Sequence, residues 1–308
     1  MLNDPLAAQM GLLVMRAEDM FDGLQQLGQQ EKLDPPLDAA ITDAYDLKGY
    51  IAGNDAVLDV NAVTNKKRLR AAGPTVFYGF VACSKANPRQ YVVVVRGTGN
   101  LWEWVKDGEF APVPHPPSGG QVEDGFNSIY QTMTYCSYVG GAFTGEPKGA
   151  AAGIAQAIPD GKVTVVGHSL GSALATYLAL DLVTVQKMGG RVTACMFASP
   201  HPGDITFVDY FDQNVATYTL YNYSRDAVPT VPLLFGYASL PRAVKFTPDD
   251  AQADVKYNHL APLELENLKC QHHVACYAAM LDYHATDWAA LPIIDQGCVA
   301  CIVGPKDL

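Results

Sequence analysis

Positive charge is scarce in this 308-residue chain: 21 Lys and Arg stand against 32 Asp and Glu, a formal net charge of −11 at pH 7. Nucleic-acid binders carry the opposite sign, because their affinity comes largely from displacing counterions from phosphates, and that class is excluded. The same deficit removes simple electrostatic adhesion to anionic lipid, so contact with a lipid interface has to be hydrophobic. Charged residues of either sign make up only 17% of the chain, below a usual share of about 25%. With 49% hydrophobic residues, intrinsic disorder is ruled out and a sizeable core is available.

Long hydrophobic runs are missing too. The longest apolar stretch, Val163 to Val185, is interrupted by His168, Ser169, Gly171 and Asp181, which argues against a bilayer span. The short run Met10 to Met15 follows Asp4 and has no basic segment before it, so no signal peptide is visible. The compartment stays open between secretion after signal removal, the cytoplasm and signal-independent export. The seven cysteines are too few for a disulfide-dense scaffold, and their odd number leaves at least one unpaired within the chain. Cys298 and Cys301 form a lone C-x-x-C, two ligands short of a tetrahedral zinc site. There is no internal repeat and no charged low-complexity tail.

What is present is a change of texture along the chain. Leu12, Leu13, Met15, Met20, Phe21, Leu24 and Leu27 lie near helical spacing, and the first seventy residues read as helices with turns. Val76–Cys83 and Tyr91–Val95 are β-branched and aromatic runs around a polar turn at Lys85–Gln90, the pattern of a hairpin. Ala111 to Gly120 holds four prolines and reads as a loop. The second half then alternates: strand at Val163–Val166, helix from Leu170 to Met188 closed by Gly189-Gly190, strands at Val192–Ala198 and Val215–Tyr223. Strands buried on both faces with helices between them indicate an α/β fold with a mostly parallel central sheet. One domain over residues 1–308 is expected, with 1–70 as a helical extension packed on a catalytic core of 75–285.

Gly167-His168-Ser169-Leu170-Gly171 is the most informative segment. A bare G-x-S-x-G is common, but this one follows a strand and opens a helix, the context of a nucleophile elbow. Amides at the start of that helix point toward charge developing on a tetrahedral intermediate. A serine is a weak nucleophile until a base takes its proton. In such a fold the acid and then the base follow in sequence. Asp226, after the strand Val215–Tyr223 and before Val228-Pro229, fits the acid, with Asp204 and Asp209 as competitors one strand earlier. For the base His272 leads, since it precedes an apolar helix ending near Leu281, and His273 and His259 are the alternatives. His168 and His201 read as structural neighbours.

Five ordered blocks between Thr75 and Tyr283 resemble the class 3 lipases, the fungal-lipase-like branch of the α/β-hydrolases. They are VVVVRGTGNLWEWVKD (Val92–Asp107), VEDGFNSIY (Val122–Tyr130), GHSLGSALA (Gly167–Ala175), FASPHPGD (Phe197–Asp204) and DAVPTVP (Asp226–Pro232). The resemblance implies an α/β-hydrolase fold and the triad Ser169, Asp226 and His272, the last through His-x-φ-x-x-Tyr. It implies an oxyanion hole from Thr98 and Leu170, with Asp107 orienting the Thr98 hydroxyl. Leu101, Trp102 and Trp104 correspond to a lid that meets lipid or covers an acyl groove. Ser172, Asp124 and His201 depart from residues common in the family, yet none removes a catalytic group.

The resulting expectation is a serine hydrolase of lipid carboxylic esters, foremost acylglycerols, with no cofactor, no metal and no nucleic-acid partner. Its substrate is a lipid or small ester. Phospholipase A1, feruloyl or short-chain carboxylesterase, and a phospholipase effector toxin are alternatives within the class. A non-catalytic acyl-binding module is the alternative outside it.

Overall fold

The computed structural model describes residues 3–54, 74–98, 111–233, 236–257 and 265–306. Two helices come first, α1 (Pro5–Gln26) and α2 (Ala39–Ala44), followed by strands β1 (Tyr45–Asn54), β2 (Thr75–Ser84) and β3 (Gln90–Val95). The middle of the chain holds β4 (Pro112–His115), β5 (Gly120–Glu123), α3 (Asp124–Thr132), β6 (Thr134–Val139), β7 (Ala142–Phe143), β8 (Lys148–Gly149) and α4 (Ala150–Ala157). Then come β9 (Lys162–His168), α5 (Leu170–Thr184), β10 (Val192–Phe197), β11 (Gly203–Asp204), α6 (Ile205–Asn214) and β12 (Thr217–Tyr223). The last stretch runs through β13 (Tyr237–Ala238), β14 (Ala243–Phe246), β15 (Val255–Tyr257), α7 (Leu265–His272), α8 (Val274–Leu281), α9 (Ile293–Ile302) and β16 (Val303–Pro305).

Ten strands form the central sheet in the order β14-β12-β10-β9-β3-β2-β1-β6-β7, with β8 also paired to β6. The contiguous run β3, β9, β10, β12 and β14 is parallel. The flank from β3 outward through β2, β1 and β6 is antiparallel. Parallel strands must be covered on both faces, and β9 shows it: Val163, Val165 and Val166 are all buried. Helix α5 packs on β9 and β10 and is almost wholly buried, which explains its apolar and small residues on every side. This is an α/β-hydrolase fold, a mixed sheet whose parallel half carries the loops that matter.

Helix α1 also lies on the sheet, against β9, β3 and β2, and packs along α8. Asp4 caps it, accepting from the Ala7 amide (3.0 Å), and its other oxygen accepts from the Tyr221 hydroxyl on β12 (2.5 Å). Pro5 sits at the first helical position, where a missing N–H costs nothing. The buried face carries Met10, Val14, Met15, Phe21 and Leu24.

Three expectations need correction. Tyr45–Asn54 is not helical but a ten-residue strand inside the sheet, between β2 and β6. Its Asp, Lys and Gly have low strand propensity, and pairing on both edges overrides it. Gly49 is required there, because a Cβ would lie 2.5 Å from the Tyr135 ring. Part of the proline-rich Ala111–Gly120 segment is strand: β4 pairs with β5 at the end of a small four-stranded sheet. Proline is tolerated at such an edge because an outward-facing amide is not needed for pairing. Helix α5 ends at Thr184 rather than Met188.

All seven cysteines are thiols, and Cys270 Sγ lies 2.7 Å from Cys298 Sγ. Among the described residues no group of three or more His, Cys, Asp or Glu is arranged to hold a metal. No helix among them is long and apolar enough to cross a membrane.

Candidate active site

Ser169 occupies a tight turn between β9 and α5 with φ 58° and ψ −129°. This backbone conformation is sparsely populated for any L-residue and persists only where the surroundings enforce it. Here the enforcement is visible. A Cβ on Gly171 would come within 2.5 Å of the carbonyl oxygens of Val95 and Arg96, and one on Gly167 would collide with the Gly171 backbone. The two glycines let strand, turn and helix approach one another closely. Ser172 adds a lock that a glycine cannot provide. Its hydroxyl lies 2.7 Å from Gly167 O and 2.8 Å from Phe197 O, and it accepts from the Phe197 amide (3.1 Å). The family departure at this position therefore ties the elbow to β10.

The fold brings three of the expected side chains into one line. His272 Nε2 lies 2.8 Å from Ser169 Oγ, and His272 Nδ1 lies 2.8 Å from Asp226 Oδ2. A carboxylate can only accept, so Nδ1 carries the proton and Nε2 is free to accept from the serine hydroxyl. All three are buried: Ser169 at 1%, Asp226 at 4% and His272 at 8% exposure. Asp226 follows β12 and is held by the Val228 amide (2.9 Å) and the Tyr277 hydroxyl (2.7 Å). Ser169 follows β9, so two of the three groups come from the carboxyl ends of parallel strands, where ligand sites of α/β sheets gather. His272 is the last residue of α7, and His273 caps α8 by accepting from the Ala275 amide (3.2 Å).

Thr98 follows β3, and Leu170 opens α5, where its amide has no acceptor within the helix. The competitors fall elsewhere. Asp204 caps α6 and accepts from the Phe207 and Gln121 amides; Asp209 is exposed on that helix. His273 pairs with Asp295 (3.2 Å), and burial lowers its pKa to about 4. His201 holds Pro232 O (3.0 Å), also a structural role. Leu101, Trp102, Trp104, Asp107 and His259 lie outside the described residues.

Two residues were missed from sequence. Tyr277 donates to Asp226 and accepts from the Tyr223 amide (3.0 Å), bridging α8, β12 and the acid loop. Its signal was the His-x-φ-x-x-Tyr spacing itself. Glu18 of α1 lies 3.0 Å from His168 Nδ1, and sequence patterning gave no sign of that pairing.

Residues 92–236 match the family described as Lipase (class 3), a span that contains Thr98, Ser169, Leu170 and Asp226. Over that span, just under half of its length, the chain matches the class 3 lipase family. It is 29% identical over 197 residues to a lipase of Rhizomucor miehei, covering 62% of this chain and 50% of that relative. It is 28% identical over 273 residues to phospholipase A1-II 3 of Oryza sativa subsp. japonica, covering 76% of this chain and 62% of the relative. The chain thus spans half to about three fifths of the length of these curated relatives. Among solved structures, the native Rhizomucor miehei lipase propeptide complex matches with 28% identity and a TM-score of 0.45 over 54% of this chain and 51% of that one. His272 and Glu18 lie outside the family-matched span, so only Ser169 and Asp226 of the hydrogen-bonded line fall within it.

Proposed function

We propose that this protein hydrolyses carboxylic esters of lipids, foremost acylglycerols, through an acyl-enzyme on Ser169. The reading rests on the unbroken relay from Ser169 Oγ through His272 to Asp226, with both links at 2.8 Å. His272 Nε2 takes the serine proton as Oγ attacks the ester carbonyl. The negative oxygen of the tetrahedral intermediate receives N–H groups from Thr98 and Leu170. His272 then passes its proton to the departing alkoxide and an alcohol leaves. A water molecule, deprotonated by the same nitrogen, cleaves the acyl-enzyme, and Ser169 regains its proton as the fatty acid departs. Asp226 keeps the imidazole in the required tautomer and stabilises its transient positive charge. No cofactor enters this sequence.

A complete relay argues against a non-catalytic acyl-binding module, which has no use for a strained serine aligned with a base. Relatives named lipase and phospholipase A1 support a lipid ester. The test is a series of chromogenic esters from short to long acyl chains, with and without detergent micelles, plus a phosphatidylcholine arm. Turnover rising with chain length and with micelles is expected. Release of the sn-1 acid, with turnover on the phospholipid alone, would select phospholipase A1, and no turnover on any ester would end the hydrolase reading.

Two further outcomes belong here. Loss of one oxyanion donor typically lowers turnover by about 10²–10³-fold in the chemical step. Thr98→Val keeps the amide and shape but deletes the hydroxyl, so kcat is expected to fall with KM little changed. An unaltered kcat moves that role away from the Thr98 side chain, and from Asp107 as its support. Replacing Trp102 and Trp104 with Ala is expected to reduce activity on emulsified long-chain esters far more than on a soluble short-chain ester. Equal loss on both, with intact thermal stability, removes the lid role.

A further inference from the structure

A second line of polar groups stands directly behind the first. His168, the residue before the nucleophile, is 5% exposed and makes two hydrogen bonds through its ring. Its Nδ1 lies 3.0 Å from Glu18 Oε1, and its Nε2 lies 2.6 Å from the backbone carbonyl of His272. With Glu18 ionised both partners are acceptors, so both nitrogens carry protons and His168 is an imidazolium. The same Glu18 oxygen accepts the Gly97 amide at 3.1 Å. Gly97 immediately precedes Thr98. A Cβ on Gly97 would lie 2.9 Å from that carboxylate oxygen and 3.1 Å from the His168 carbonyl, so glycine makes room for the contact. One turn along the same face of α1, Phe21 stacks on the Arg96 guanidinium (3.5 Å to the ring centroid), whose Nη1 donates to Gly97 O (2.7 Å).

We propose that α1 is a positioning element for the hydrolytic site: Glu18 and a protonated His168 form an ion pair that fixes the oxyanion turn at Gly97 and the backbone of His272. The proposal rests on the reading of Ser169, His272 and Thr98 as the catalytic set. Neither Glu18 nor His168 touches substrate. They set where the amide of the oxyanion turn and the end of α7 stand, through one carboxylate and one ring.

The charges around the pair agree with this state. Burial disfavours charge on His168, but the Glu18 carboxylate, the hydrogen bond to it, the His272 carbonyl and Asp226 outweigh that and raise its pKa. Burial likewise disfavours charge on Glu18, yet His168, its hydrogen bond, His273 and the Gly97 amide hold the carboxyl below its ordinary value. The other groups facing His168 are the rings of His272, 4.6 Å away, and Tyr277, 6.2 Å away. On the Glu18 side stand Asp19 and Asp22 of α1, Asp295 of α9, and Arg16 and Arg96. Burial raises Asp19 to about 7 and Asp295 to about 6, so these two lose charge before Glu18 does as pH falls. The pair is intact between the lowered pKa of Glu18 and the raised pKa of His168, and it is lost as pH rises through the latter. Removing the carboxylate leaves burial in command of His168, which then loses its proton at lower pH.

Glu18→Gln keeps shape and an oxygen for the Gly97 amide while deleting the charge. Three readouts are taken: kcat and KM on a soluble short-chain ester across pH, Tm, and the NMR titration of the His168 ring. The variant is expected to fold, keep KM, lose about tenfold in kcat, as outer-shell partners commonly cost, and move the alkaline limb of kcat to lower pH. Glu18→Asp restores the charge and is expected to recover part of that limb. In a His168→Gln background the further change to Gln at position 18 is expected to add little, since the two act as a unit. A wild-type pH profile in Glu18→Gln overturns the proposal, as does a pH-independent loss that merely tracks Tm. A His168 ring that titrates as a neutral imidazole in the wild type overturns it without reference to turnover. A wild type inactive on every ester sinks the hydrolase reading, and the positioning role with it, even if the imidazolium is found.

Discussion

Ser169→Ala is expected to leave a folded protein whose turnover on any ester is lower by about three orders of magnitude or more. The nucleophile's oxygen is the only atom removed, and neither the turn nor the sheet depends on it. On the proposed reading, the oxyanion donors and a base with nothing to activate except water would remain, and they set the expected residual rate. His272 Nε2 loses its 2.8 Å partner in a buried setting, so a stability change of about 1–3 kcal/mol for an unsatisfied group is the upper range. The backbone offers a control. At φ 58° and ψ −129° an alanine is as strained as the serine, whereas glycine is not. Relief of about 1–3 kcal/mol of strain exceeds the unfolded-state entropy cost of about 0.4–1 kcal/mol for glycine. Ser169→Gly is therefore expected to be as inactive as Ser169→Ala and to melt at a higher temperature. Purified Ser169→Ala with unchanged kcat, measured beside its circular dichroism melt, would sink the nucleophile assignment.

How much of this was legible from sequence depends on how local the physics is. The elbow is local. Gly167, Ser169 and Gly171 lie within five residues, and the strand before and helix after them show in the apolar pattern, so Ser169 could be singled out directly as the nucleophile candidate. Asp226 needed one step more, a strand ending at Tyr223 followed by a proline turn. His272 was favoured over His273 and His259 by its place just before an apolar helix, and the His-x-φ-x-x-Tyr likeness added to that, because a histidine one place along a turn points elsewhere. The antiparallel flank was not legible in β1, whose Gly49 and Gly53 belong there because Tyr135 and Tyr78 side chains lie against them. Those partners are 25 or more positions away. The proline-rich β4 hid for the opposite reason, since an edge strand with unneeded amides looks like a loop.

Glu18 shows the limit most clearly. On α1 it sits among Ala17, Met20 and Phe21, and a carboxylate bordering an apolar face normally reads as helix surface. Its partner is 150 positions away, and the pairing exists only because α1 crosses β3 and β9 beside the elbow. The family-matched span begins at residue 92, so α1 lies outside it as well.

The largest remaining effect is expected at His272. His272→Ala should abolish turnover to the level of Ser169→Ala, because the two act as one unit and removing either leaves the same remnant. Asp226→Asn should fall short of that, yet still lose several orders of magnitude: the amide can donate to Nδ1, which selects the tautomer with the proton on Nε2 and blocks acceptance from Ser169. His273→Ala provides the contrast. Its ring caps α8 and pairs with Asp295, so the variant should lose about 0.5–2 kcal/mol of stability and keep most of its kcat. The pH dependence separates the two rings further. Burial holds His273 at about 4, below its ordinary value, so the unfolded chain binds more protons than the native one as pH falls from the usual histidine range toward 4. The native protein loses stability across that window, and His273→Ala should flatten the loss while leaving the acid limb of kcat/KM in place. His259→Ala should change neither. Full loss at His259 or His273 with a functional His272→Ala variant would show that the base is another residue, and an acid limb that disappears in His273→Ala would reverse the assignment of the two neighbours.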